Sequence, residues 1–164
     1  NASRAADEIV DLFARENRRS GDIRIHRDLA PDQWVRMDPD HLRQVLWNLL
    51  RNASEAIPAS GEISVGLFPS RDDQVTVRIS DNGCGIPEDI LPTVFDPFVT
   101  TKAHGTGLGL SIVHRIIESA GGRLDIESRL GEGTVVFLRL VRATPEVQPE
   151  DAGDPRRAST SAVA

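Results

Sequence analysis

Asp81-Asn-Gly-Cys-Gly-Ile-Pro87 follows directly on the alternating apolar positions Val75, Val77 and Ile79. A period of two is a strand pattern, and the polar, glycine-rich stretch breaks it, leaving Asp81 at the end of a strand. A carboxylate there can accept a hydrogen bond from an exocyclic amine. Glycines at 83 and 85 let a flat ring approach the backbone and permit turns with positive φ. The same letters also fit an ordinary strand-to-loop turn. The neighbouring segments decide between the two readings.

Upstream, Leu42, Val45, Leu46, Leu49 and Leu50 recur at the spacing of an amphipathic helix. Asp38 or Asp40 caps its start, and Pro58 with Gly61 marks its end. Asn48 and Asn52 are four apart and share one face of it. An asparagine amide oxygen is a hard, neutral ligand that suits magnesium, which takes its remaining contacts from water and phosphates. Polar surface positions on a half-buried helix would give the same pair. Downstream, Phe95-Asp-Pro-Phe-Val-Thr-Thr-Lys102 leads into Gly105-Thr-Gly-Leu-Gly-Leu110. Glycines at 105, 107 and 109 precede a run in which Leu108, Ile112, Ile116 and Ala120 are expected to line one helix face. Free backbone amides at a glycine-rich helix start favour an anion, and phosphate is the natural guest. Rossmann spacing would need a glycine where Leu110 stands, and the Gly-Lys of a Walker loop is absent.

In this order the segments closely resemble the ATP-binding catalytic domain of bacterial sensor histidine kinases, a branch of the GHKL superfamily. Asn48-Leu-Leu-Arg-Asn-Ala53 resembles the asparagine box and Asp81-Asn-Gly-Cys-Gly-Ile86 the first glycine box. Phe95 to Lys102 resembles the phenylalanine box and Gly105 to Leu110 the second glycine box. Gly131-Glu-Gly-Thr-Val-Val-Phe137 matches a strand-opening turn near the domain end, so the resemblance covers residues 5 to 141.

The resemblance implies ATP and Mg2+ as cofactors. Asn52 would be the magnesium ligand, with Asn48 one turn earlier at the metal shell or the phosphates. Asp81 would accept from the adenine amine while Gly83 and Gly85 pass close to the base. Residues from Phe95 to His104 would form a mobile lid. Lys102 would contact a phosphate, and Gly105, Gly107 and Leu108 would close on the triphosphate. Ile86, Phe95, Thr101, Thr106, Gly109 and Thr134 complete the implied nucleotide site, with Asn48, Asn52 and Lys102 its implied catalytic residues. Hydrolytic members carry a glutamate four residues before the metal-binding asparagine. Here Asn48 stands at that position and cannot take a proton. The implied reaction is therefore transfer to an outside nucleophile, an imidazole on the protein's own dimerisation domain, with positioning and electrostatics carrying the catalysis. A response regulator is the implied further partner.

None of His26, His41, His104 and His114 sits in the context of a phosphoacceptor histidine. His114 and His41 read as structural or solvent-facing, and His104 as a phosphate neighbour. His26-Arg-Asp-Leu29 spells the catalytic loop of protein Ser/Thr/Tyr kinases, but Gln33 replaces its asparagine and no Asp-Phe-Gly follows.

With 164 residues and 39% hydrophobic content the chain suits one domain with a real core. No apolar run approaches a membrane span and no signal peptide is evident, so a cytoplasmic domain without direct membrane contact is expected. Lone Cys84 excludes an internal disulfide and reads as a small packing residue. Nineteen Lys and Arg against 25 Asp and Glu give a net charge of −6, which argues against nucleic-acid binding.

The pattern predicts helices over 4–18, 41–57 and 108–120. It predicts strands at Ile23 and Ile25, around 63–67 and 75–80, and at Leu124, Ile126 and 136–140. The expected fold is α+β: a two-layer sandwich of the Bergerat type, with a mixed, mostly antiparallel sheet and three main helices on one face. Residues 1–3 read as a linker or expression scar, 4–141 as the domain and 142–164 as a disordered tail. Two other readings share these residues, a nucleotide-binding regulatory or scaffolding module without phosphotransfer and a free-standing ATPase or serine kinase of the same superfamily.

Overall fold

The computed structural model describes residues 1–17, 22–100 and 105–145. The chain runs α1 (Ala2–Asn17), β1 (Asp22–Leu29), α2 (Pro39–Ala56), β2 (Ser60–Pro69), β3 (Gln74–Asp81), a 3₁₀ turn (Leu91–Thr93), α3 (Gly109–Ser119), β4 (Arg123–Arg129) and β5 (Gly133–Val141). The strands form one sheet in the order β1-β2-β3-β5-β4. The β1–β2 pair is parallel and the other three are antiparallel, so the sheet is mixed and mostly antiparallel as expected.

Strand alternation sends Ile63, Val65 and Leu67 of β2, Val75, Val77 and Ile79 of β3, and Val136, Leu138 and Leu140 of β5 to one buried face. The helices cover that face. In α2 every apolar position of the predicted stripe is buried, with Ala53 added at its end. Asp38 is the cap: its Oδ1 accepts from the backbone N–H of Asp40 at 2.8 Å and of His41 at 3.1 Å. The amides of His41 and then Asp40 hold its carboxyl below the usual range. At the other end Ile57 turns extended, as the residue before Pro58 prefers. The rings of Phe13 on α1 and Trp47 on α2 meet edge to face at 5.4 Å.

Two expectations are corrected. On α3 the buried positions are Ser111, Val113 and Ile117, whereas Ile112 of the predicted stripe is exposed. Five aliphatic side chains within this helix offer two stripes one residue apart, and docking between α2 and β4 selects the second. Residues 1–3 are packed rather than linker-like: Ala2 is fully buried, and the Ser3 hydroxyl donates to the Ala30 carbonyl at 2.7 Å. Short side chains gave no apolar period to read there. At the far end, Ala143 donates its amide to Trp34. The tail from residue 146 onward lies outside the described residues. Among the described residues no helix is long and apolar enough to cross a membrane.

Candidate functional site

A cavity of about 440 Å³ opens between α2, the end of β3, the loop after it and the start of α3. Its sheet-side wall is apolar, with Ile79, Ile126 and Val136 on it, and Leu49 and Ala53 of α2 face them. Ile86, Ile90, Val94, Val99 and Leu110 complete the apolar part of the lining. Such a slot suits a flat apolar ring, provided a few polar groups fix its orientation.

Those groups stand in one row across the sheet. Asp81 pairs in register with Thr134 of β5, and Thr134 with Ser128 of β4. Each lies one β-period beyond the last inward apolar residue of its strand, Ile79, Val136 and Ile126 respectively, so the three share the helix-facing side. Asp81 and Thr134 line the cavity. Asp81 is half-buried, and its Oδ1 accepts the amide of Gly83 at 2.9 Å. Ser128 was not anticipated from sequence, although the parity that identifies Asp81 reaches it from Ile126.

The glycine loop after β3 is wedged between distant parts of the chain. Cys84 donates its amide to Ala56 at the end of α2 (2.8 Å), and its carbonyl accepts from Gly131 in the β4–β5 turn (2.7 Å). Gly85 adopts φ +68°, and a Cβ there would collide with the Arg129 carbonyl, so only glycine fits. Gly83 is buried, and a Cβ on it would lie 2.5 Å from the Ala56 carbonyl oxygen. It serves the packing of α2 and is absent from the cavity wall. Cys84 is exposed at the cavity, and its backbone does the packing that sequence assigned to its side chain.

Opposite the base-sized slot, Gly105, Thr106, Gly107 and Gly109 lead into α3. Gly107 has φ +67° and its carbonyl accepts the amide of Phe98 at 2.9 Å, while a Cβ on it would strike the Phe98 backbone. The asparagine helix meets this segment: a Cβ on Gly109 would lie 3.7 Å from the Asn52 amide, so Asn52 sits against the positive end of α3. Arg51 and Glu55 share that wall, paired at 3.5 Å, and Arg51 is the one Lys or Arg of the lining among the described residues.

Of the predicted site residues, the cavity thus gathers Asn52, Asp81, Gly85, Ile86, Gly105, Thr106, Gly107, Gly109 and Thr134. Asn48, Gly83, Phe95 and Leu108 are outside its lining. Asn48 is half-buried one turn before Asn52. Phe95 stacks on His114 with ring centroids 4.7 Å apart, tying its segment to α3. Leu108 caps α3 and its carbonyl accepts from Ser111. Thr101, Lys102 and His104 lie outside the described residues.

The family model for histidine kinase-, DNA gyrase B-, and HSP90-like ATPases matches residues 37–144, from the cap of α2 to just beyond β5. The sensor histidine kinase ZraS of Salmonella typhimurium (strain LT2) is 48% identical over 106 residues, covering 65% of this chain and 23% of that protein. Sporulation kinase E of Bacillus subtilis (strain 168) is 36% identical over 146 residues, 88% of this chain and 20% of that protein. The chain therefore spans about a fifth to a quarter of these curated relatives. Among solved structures, the nucleotide-free catalytic domain of histidine kinase ThkA superposes with a TM-score of 0.74 at 35% identity, covering 88% of this chain and 96% of that one. Full-length ShkA in complex with AMPPNP superposes with a TM-score of 0.75 at 26% identity, covering 88% of this chain and 31% of that one.

Proposed function

Because the chain belongs to the family of histidine kinase-, DNA gyrase B-, and HSP90-like ATPases, we propose that it is the ATP-binding catalytic domain of a sensor histidine kinase. It holds Mg-ATP and gives the γ-phosphate to a histidine on a separate helical dimerisation domain of the same protein, from which a response regulator is phosphorylated. The observation that carries this reading is the placement of Asp81 on the wall of an apolar, base-sized slot that faces a glycine-rich helix start.

Adenine enters the slot between Ile79, Ile126 and Val136 on one side and the α2 residues on the other. The Asp81 carboxylate accepts from its amine, and the amides of Gly105 to Gly109 face the phosphates. Asn52 offers one neutral oxygen at the phosphate end. Among the described residues no cluster of His, Cys, Asp or Glu could hold a metal unaided, so a cation there takes most of its ligands from phosphate and water, as magnesium does. When bound, magnesium draws charge from the transferring phosphate. Arg51 brings a positive charge to a wall of an otherwise acidic chain, and Lys102 is a second candidate.

None of the described histidines lines the cavity, which supports an acceptor outside this chain. In the transfer an imidazole nitrogen forms the bond to phosphorus as the bond to the ADP oxygen breaks. The domain works in the cytoplasm, where ATP is supplied.

A second reading, hydrolysis, is favoured by one observation, the Glu55 carboxylate on the cavity wall. Its pairing with Arg51 and the amide at position 48 weigh against it as a base. Calorimetric titration with ADP and a non-hydrolysable ATP analogue, with and without magnesium, tests the site. Radiolabelled ATP mixed with the chain and a fragment of the parent bearing the acceptor histidine tests transfer. Magnesium-dependent binding with acid-labile labelling of the fragment is expected. Absence of nucleotide binding overturns the reading, and steady ATP turnover by the chain alone replaces it with an ATPase. Binding without transfer would leave a regulatory or scaffolding module.

A further inference from the structure

Ser128 lies outside the cavity lining, yet its hydroxyl holds a residue that belongs to it. The backbone amide of Ile86 donates to Ser128 Oγ at 2.8 Å, and the same hydroxyl donates to the Gly133 carbonyl at 2.8 Å. An amide only donates and a carbonyl only accepts, so the direction of both bonds is fixed. The Thr134 hydroxyl stands 2.9 Å from the same oxygen. One short side chain of β4 thus joins the glycine loop to the start of β5.

The place of this bond in the loop gives it its role. Backbone atoms fix the loop earlier, where the Cys84 amide donates to Ala56 at 2.8 Å and the Cys84 carbonyl accepts from Gly131 at 2.7 Å. Gly85, at φ +68°, turns the chain between that anchor and Ile86. Beyond Ile86 stands Pro87, which has no N–H to offer. The next backbone bonds, among Pro87, Ile90, Leu91, Thr93 and Asp96, are all local. Among the described residues the Ile86–Ser128 bond is therefore the last that ties this stretch of chain to the sheet. We propose that Ser128 is a positioning residue for the base: it fixes Ile86 against the cavity beside Thr134 and Asp81, and so sets affinity for the nucleoside part of a nucleotide without acting on its phosphates. This rests on the reading of the cavity as a nucleotide site. The phosphate end is built from other segments, Gly105 to Gly109 and Asn52, and Ser128 bonds to none of them. Without the hydroxyl, a part-buried amide loses its acceptor, which costs more than the bond itself contributes. The loop then shifts until water reaches that amide, and the Ile86 side chain leaves its place on the wall.

The experiment titrates the chain and its variants with ADP and with inorganic triphosphate, which reaches only the phosphate end, and follows amide hydrogen exchange at Ile86 and Cys84. In Ser128→Ala the affinity for ADP is expected to fall by about threefold to tenfold, the effect of one hydrogen bond, while that for triphosphate is unchanged. Exchange at the Ile86 amide should accelerate while the Cys84 amide, bonded to Ala56, keeps its protection. Ser128→Thr keeps the hydroxyl and is expected to restore both the ADP affinity and the Ile86 protection. Ser128→Cys, which fills the space but accepts weakly, gives the same readings should the alanine variant fail to fold.

Triphosphate weakened as much as ADP, or Cys84 released together with Ile86, would show that Ser128 supports the domain at large and would overturn the inference. Natural ADP affinity in a variant whose Ile86 amide is released would overturn it too, by showing that the position of this loop does not matter to the base. Both results leave the nucleotide site intact. Absence of ADP binding by the natural chain would instead overturn the underlying reading.

Discussion

Replacement of Asp81 by asparagine separates the structural bond of this residue from its recognition of a base. The Oδ1 of Asp81 accepts the Gly83 amide at 2.9 Å, closing the turn that follows β3. An asparagine oxygen can keep that bond, so the loop and its contacts with Ala56, Arg129 and Ser128 should persist. The amide nitrogen, however, places two donors where the carboxylate offered an acceptor. A hydrogen bond to a charged partner contributes about 1.5–3 kcal/mol. At about 1.4 kcal/mol per factor of ten, ADP should bind roughly tenfold to a hundredfold more weakly. The melting temperature should change by less than about 4 °C, since the bond that closes the turn is kept. Titration calorimetry at several protein concentrations, with a thermal melt of the same sample, measures both quantities. A folded variant that keeps natural ADP affinity would refute the role given to the carboxylate. A melt lowered far beyond that range would refute the claim that its two roles separate.

Gly107→Ala would force a Cβ onto the Phe98 backbone at φ +67°, a conformation that costs a non-glycine residue about 1–2 kcal/mol before any clash. Hydrogen exchange at the Phe98 amide should accelerate about tenfold or more while exchange in β3 is unchanged. Leu46→Ala, at a position only 2% exposed, should destabilise the domain by about 2–5 kcal/mol in urea denaturation. The carboxyl of Asp38 is held below its usual range by the amides of His41 and Asp40. Its folded-state pKa lies below the unfolded one, so its contribution is complete above the unfolded value and disappears as pH falls through the folded value. Asp38→Ala should therefore melt lower than the natural chain at neutral pH, with the gap narrowing in acid, whereas Asp38→Asn should keep the cap without that pH dependence.

Local pattern carried α2, the β2–β3 hairpin and the β4–β5 pair, because each is decided by residues close in sequence and by one strong period. The parallel pairing of β1 with β2 joins segments separated by a whole helix, and no local signal specifies it. The misassigned stripe on α3 has a related cause: a helix apolar around much of its circumference does not announce which side it buries. At the site, Asn52, Asp81 and the glycines before α3 were legible as chemistry and are gathered at one cavity. Gly83, Phe95 and Leu108 were legible only as motif letters, and here they serve packing and capping, which the letters do not distinguish from contact with a ligand. Ser128 and the apolar wall residues Ile90 and Val94 escaped notice because their importance arises from neighbours brought in by the fold.

The wedged glycine loop also bears on how the chain is made. Ile86 emerges from the ribosome 42 residues ahead of the serine that secures its amide, and Cys84 must likewise wait for Gly131. A nascent chain paused between them already contains Asn52 and Asp81 but lacks the last hairpin that forms the other wall of the slot. Contacts this far apart in sequence close late, after the entropy of the intervening loop has been overcome. Completion of the cavity wall is thereby postponed until the β4–β5 hairpin has been made.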